Sequence, residues 1–322
     1  MADSQTSTPR SGGTATGDPA VREARQARAR IDRLWHRAEQ AAHGLPPLVA
    51  RARRLTQTMT RGSHGRRRAG SGDAFWQFRP YHAGDAAMAI DWRRSARSDN
   101  LYVRQKENEI AQTVWLWCDS SPSMAFGSDP AHDSKADRAV LLALAAALML
   151  VEGGERVALL GHHGRAAGGR FGLNRLREAL AMAEPDATGG FPDPGPLPRH
   201  ARLLLIGDFL DDEAVLKAGL DRLVARGIGG HMLHVVDPAE EDFPYRGRVR
   251  LEGLEQDGGV LLGRAEDLRH AYQGRMAAWR QTLGRLAVGA GWTFNSHRTD
   301  RPPHTALMTL MVAVGELDPD RC

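Results

Sequence analysis

From residue 113 onward, short apolar runs alternate with helical stretches, and this alternation restricts the fold more than any other feature. TVWLWCD (113–119) reads as a compact strand ending in an acid, and Lys135 to Glu152 as a long, almost wholly apolar helix. RVALLGH (156–162) is a second strand, and Asn174 to Glu184 an amphipathic helix. ARLLLIGD (201–208) is a third strand, again closed by an acid, and Glu213 to Arg226 a helix. GHMLHVVD (230–237) is a fourth, and Leu268 to Val288 a long helix. Apolar runs too short for helices, set between helices, are the pattern of a mostly parallel sheet covered on both faces. The expected fold class is therefore α/β, doubly wound. Pro238 to Gly263 is expected to add a hairpin or a loop-rich excursion.

The remaining residues divide by composition. Residues 1–19, rich in Ser, Thr, Gly and Pro, are expected to form a disordered tail. Residues 20–60 form a basic helical segment, VREARQARARIDRLWHRAEQAA, with Val21, Ile31, Leu34 and Trp35 among many arginines. Gly44 to Pro47 breaks it, and LVARARRL is expected to form a second short helix. Residues 61–112 read as a small β-rich module and 113–322 as the main domain. Net charge is only +4, yet residues 1–70 hold 14 Arg against 5 acids, so the remainder is acidic. Such a segment either lies on RNA or an anionic surface or packs as a solvated helix on the outside of a domain.

Several classes are set aside. The two cysteines, Cys118 in an apolar strand pattern and Cys322 at the last position, do not make a disulfide framework, so a reducing, cytoplasmic setting is expected. Met1 to Ala20 lacks an apolar segment, so no secretory signal is expected. Ala139–Val151 and Thr305–Val314 are apolar but shorter than the ~20 residues a span requires, and read as buried helices. No G-x-S-x-G elbow and no G-x-x-x-x-G-K-[ST] loop is present. His162 and His163 have no suitably spaced zinc partner.

Chemistry is expected where strands end, because ligands of open parallel sheets gather beyond the carboxyl ends at a switch point. Three strands end in Asp119, Asp208 and Asp237. The first is followed by Ser120, Ser121, Pro122 and Ser123, a D-x-S-x-S spacing that lets two hydroxyls turn back toward the acid. With a second acid from a neighbouring strand, this donor set suits a hard divalent cation. The competing reading is a helix N-cap cluster without metal. Asp211 and Asp212 read as solvated caps.

TVWLWCDSSPSM resembles the metal-ion-dependent adhesion site of von Willebrand factor type A domains, with Asp119, Ser121 and Ser123 on its positions. The resemblance implies Asp208 as the acid of a later strand and Thr188 as the threonine of a second loop, although a Pro-rich run follows Thr188. Upstream, Gly70 to Phe75, Arg79 to Asp85, Ile90-Asp91-Trp92, Ser95-Ala96-Arg97 and Leu101 to Arg104 resemble the hallmark block of the bacterial domain of unknown function 58 family. That resemblance covers about residues 61–240. It implies a von Willebrand factor type A-like fold, a bound Mg²⁺ (or Mn²⁺ or Ca²⁺), and partnership with a MoxR-type AAA+ ATPase in assembly of a client protein. It implies no enzymatic activity. Asp85, Asp91, Arg94 and Arg97 read either as a partner face or as an Arg–carboxylate network holding the β-module. The expected function is a non-enzymatic, metal-dependent interaction module; the alternative is nucleic-acid or anionic-surface binding through the Arg-rich N-terminal region.

Overall fold

A computed structural model describes residues 19–43, 45, 69–70, 74–82, 88, 90–98, 100–107, 112–162, 165–183, 190–192, 195, 197–198, 201–253 and 258–316. The first element, α1 (Pro19–His43), buries Ile31, Leu34, Trp35, Ala38, Ala41 and Ala42, apolar positions recurring at helical spacing along one face. The second N-terminal helix expected over LVARARRL lies outside the described residues.

A small antiparallel sheet follows, in the order β1-β3-β2, built from β1 (Ala69–Gly70), β2 (Ala74–Pro80) and β3 (Tyr102–Glu107). Between β2 and β3 lies one helical turn, α2 (Trp92–Ser95). Asp91 caps it by accepting the Arg94 N–H at 2.9 Å, and the Arg94 guanidinium lies 4.5 Å from the Phe78 ring centroid. Asp91 is thus a helix cap and Arg94 a stacked cation. Asp85 lies outside the described residues.

The main sheet has five strands, all paired in parallel, in the order β10-β7-β6-β4-β5. In chain order its elements are β4 (Thr113–Cys118), α3 (Lys135–Glu152), β5 (Arg156–Leu159), α4 (Gly169–Met182), β6 (Arg202–Gly207), α5 (Glu213–Ala225) and β7 (Gly229–Val236). Then come α6 (Pro238–Asp242), the antiparallel hairpin β8 (Val249–Glu252) and β9 (Gly259–Leu262), α7 (Arg269–Gly289), β10 (Thr293–Arg298) and α8 (Pro303–Glu316). The class is α/β with a parallel central sheet, as the apolar alternation requires. Both short apolar stretches are buried helices, α3 and α8.

Strand alternation divides the core in two. Val114 and Leu116 of β4, Leu204 and Ile206 of β6, and Leu233 and Val235 of β7 face α1, α3, α4 and α8. Leu203 and Leu205 of β6 and Met232 of β7 face α5 and α7. The N-terminal helix packs mainly against α3 and α4, its apolar face joining their cluster while its other face stays exposed. Ion pairs Arg30–Asp137, Arg37–Asp133 and Arg177–Asp32 tie it to the elements beneath.

Two elements differ from the sequence-based expectation. The fifth strand, β10, was not anticipated, because its TFNSHR pattern is polar. Its polar groups pair across the strand boundary: His231 contacts Thr293 and Asn295 at 2.7 and 2.6 Å, and His234 contacts Ser296 at 3.0 Å. Helix α4 begins at Gly169 rather than Asn174, since the exposed Phe171 hides the first turn from the amphipathic pattern.

Candidate functional site

Strand order reverses at β4: the chain passes from β4 outward to β5, then returns to place β6 on the opposite side. The carboxyl ends of β4 and β6 therefore flank the crevice where helices diverge. Asp119 follows β4 and Asp208 follows β6, and both are buried.

The loop after β4 is shaped by its own polar groups. The Asp119 N–H extends the ladder to the Ile206 carbonyl at 2.9 Å, holding the acid against β6. Its Oδ1 accepts the Ser121 N–H at 2.8 Å, turning the chain. Pro122 then opens a 3-10 turn, Pro122–Ala125, which seats Met124 in the core. Ser121 occupies the N-cap position but makes no side-chain capping bond. Its hydroxyl lies 3.0 Å from that of Ser123, which in turn donates to Asp208 Oδ2 at 2.7 Å. The hydroxyls thus converge on the acids instead of capping a helix.

Thr188 lies outside the described residues. Asp237 stands at a strand end as expected, but caps α6: its Oδ1 accepts the Ala239 N–H and its Oδ2 the Ser128 N–H. Asp212 is exposed and caps nothing with its side chain.

Two charged groups beside these acids escape sequence reasoning. Lys135, at the start of α3, is wholly buried, and its Nζ donates to Asp208 Oδ2 at 2.8 Å and to Glu240 Oε1 at 2.5 Å. Glu240 is held by the Asp237 N–H, which donates to its Oε2 at 2.9 Å. The only signal for Lys135 was its rarity, one of three lysines in the chain. Glu240 carried none beyond its place in a capping box.

Electrostatics follow from burial. Desolvation, reinforced by the Asp208 charge, pushes the Asp119 carboxyl up to about 7. Burial pulls Lys135 down, but Asp208 and Glu240 outweigh it and hold the ammonium above the ordinary lysine range. Burial also raises Glu240, against the pull of Lys135. Beneath the site, desolvation pushes His234 down to about 4, so it is neutral near pH 7.

A groove of about 600 Å³ opens beside the loop. Asp119 and Ser121 line it together with Trp117, Leu160, His162 and Arg30.

Residues 77–282 match the family described as "Protein of unknown function DUF58". The chain is 28% identical over 281 residues to uncharacterized proteins of Mycobacterium tuberculosis and Mycobacterium bovis, covering 80% of this chain and 86% of theirs. Among solved structures it overlaps an aerotolerance-related membrane protein from Bacteroides fragilis, at 15% identity and TM-score 0.35, over 64% of this chain and all of that one. It also overlaps an uncharacterized membrane-spanning protein from Vibrio fischeri, at 14% identity and TM-score 0.18, over 63% of this chain and 98% of that one. Because both are described as membrane proteins, the cytoplasmic expectation does not stand. Cysteine usage and hydropathy report on the folded domain, not on where it is held. At these TM-scores the overlap carries no further argument. Among the described residues, no helix is long and apolar enough to cross a membrane.

Proposed function

We propose that this chain, which belongs to the DUF58 family, is a non-enzymatic, metal-dependent protein-interaction module built around its strand-end site. The observation that carries this reading is the convergence of Asp119, Ser121, Ser123 and Asp208 at the switch point of the sheet. The Ser121 and Ser123 hydroxyls lie 3.0 Å apart and Ser123 lies 2.7 Å from Asp208 Oδ2, so these oxygens form one cluster. All four side chains offer hard oxygen, which favours Mg²⁺ or Mn²⁺ over softer metals. Asp119, Ser121, Ser123 and Asp208 would hold it, with Thr188 as a further candidate. A bound ion supplies a fixed positive charge with exchangeable positions that an anionic side chain can fill. On this reading the sheet is von Willebrand factor type A-like and the partner a MoxR-type AAA+ ATPase with its client, both following from the sequence resemblance.

Isothermal titration with Mg²⁺ and Mn²⁺ tests the reading directly. The full chain is expected to bind one ion, and Asp119→Ala to lose that binding while keeping its far-UV circular dichroism. Capture of the cognate ATPase is expected to fall on adding chelator and in Asp119→Ala alike. Capture that is indifferent to both would sink the proposal.

The elevated Asp119 value adds a pH signature. Metal needs the carboxylate, so affinity is expected to fall as pH drops from 8 to 6. The sign for stability is opposite. A folded-state value raised above the ordinary aspartate range of about 3.9 favours the folded state at low pH. That contribution is lost as pH rises through about 7. Thermal melts in chelator and in Mg²⁺ are expected to diverge across this interval, and parallel curves would contradict the assignment of Asp119.

The alternative of anionic-surface binding loses cations to structure, since Arg30 and Arg37 are engaged with Asp137 and Asp133. Deleting the N-terminal segment would not isolate it, because Ile31, Leu34 and Trp35 would leave the core with it.

A further inference from the structure

We infer that Lys135 is a tethered cation of the strand-end site, sharing Asp208 with the divalent ion and setting how tightly that ion is held. The inference rests on the metal-binding reading above and deepens it. Three observations carry it.

The first is placement. Lys135 opens α3, where the helix dipole disfavours a positive charge, and it has no exposed surface. A buried ammonium in such a position persists only with strong compensation. The second is the sharing of one oxygen. Asp208 Oδ2 accepts both from Lys135 Nζ at 2.8 Å and from the Ser123 hydroxyl at 2.7 Å. The ammonium therefore adjoins the oxygen cluster directly. The third is the counterweight. Glu240 accepts from Lys135 at 2.5 Å and is itself fixed by the Asp237 N–H, so the ammonium has a second, independently held anchor besides Asp208. The Phe126 ring, centred 5.9 Å away, closes another side.

Charge accounting gives this arrangement a consequence. Asp119, Asp208 and Glu240 place three carboxylates around the single Lys135 ammonium, an excess of negative charge that a divalent ion would relieve. Without the ion, Lys135 bridges Asp208 and Glu240 and offsets their mutual repulsion. With the ion, Lys135 competes for Asp208 and weakens the hold. Removing the lysine and removing its counterweight must therefore act in opposite directions on metal affinity. A salt bridge that is merely structural has no such signature.

The test measures Mn²⁺ affinity by isothermal titration and thermal midpoints with and without Mg²⁺, using the full chain. Lys135→Met is expected to tighten Mn²⁺ by at least about tenfold, as a like charge near the ion is removed. Its midpoint in chelator is expected to fall, and to recover on adding Mg²⁺ by more than wild type gains. Glu240→Gln changes the side chain least in size but leaves one acceptor oxygen in place of two, so its far-UV circular dichroism is compared with wild type beside that of Lys135→Met. Glu240→Gln is expected to weaken Mn²⁺ by about tenfold, because the uncompensated ammonium leans on Asp208. Shifts of the same sign in both variants, or none in either, overturn the tethered-cation inference while leaving the metal reading intact. Absence of metal binding by wild type overturns both.

Discussion

Replacing Asp208 with Ala is expected to cost about 3–5 kcal/mol of folding stability, the range for breaking a buried ion pair from one side. The cause lies in what Asp208 leaves behind. Lys135 is wholly buried and would keep only Glu240, and the Ser123 hydroxyl would lose its acceptor. Asp208→Asn should cost less, because the amide oxygen still accepts from both donors while the Coulomb attraction is lost. Urea unfolding with an unchanged m-value gives the measurement. A loss below about 1 kcal/mol for Asp208→Ala, within the range of exposed pairs, would show that Asp208 does not hold the lysine.

The second large effect is expected at a residue without a side chain. Gly207 ends β6 beside Asp119, and a Cβ added there would lie 2.6 Å from Asp119 Cβ and 2.8 Å from its Oδ2. Neither neighbour can give way easily. Asp119 is pinned by its N–H to the Ile206 carbonyl, and β6 is paired on both sides, with β4 and β7. The close approach of strand to side chain is what requires glycine here. Gly207→Ala is expected to reduce metal affinity by at least about tenfold, with an overpacking cost of about 1–3 kcal/mol. Titration with Mn²⁺ and urea unfolding on the same sample separate the two effects. A variant with wild-type affinity and stability would mean that the approach of Gly207 to Asp119 is wider than described.

Much of this was legible in the chain, for identifiable reasons. Strands β4, β6 and β7 announce themselves because central parallel strands are buried on both faces and read as continuous apolar runs. The edge strand β10 does not, since its side chains answer His231 and His234 in place of a hydrocarbon core. The donors Asp119, Ser121 and Ser123 were legible because they are local, brought together by one turn. Asp208 was legible because it ends a strand. Asp237 shows the limit of that rule: it also ends a strand, yet it serves as a helix cap.

By itself, then, the sequence determined the parallel α/β architecture and the oxygen-rich loop after its first strand, since both depend on short-range periodicity and spacing. The tertiary structure decided what that loop meets. Lys135 lies 73 residues from Asp208 and 105 from Glu240, separations across which no local pattern carries information. Only the order of strands in the sheet, and the helices packed at its carboxyl edge, bring the buried ammonium to the same oxygen as Ser123. Apolar burial drives that assembly wherever it is possible, and the charges must then find partners among whatever it has brought together.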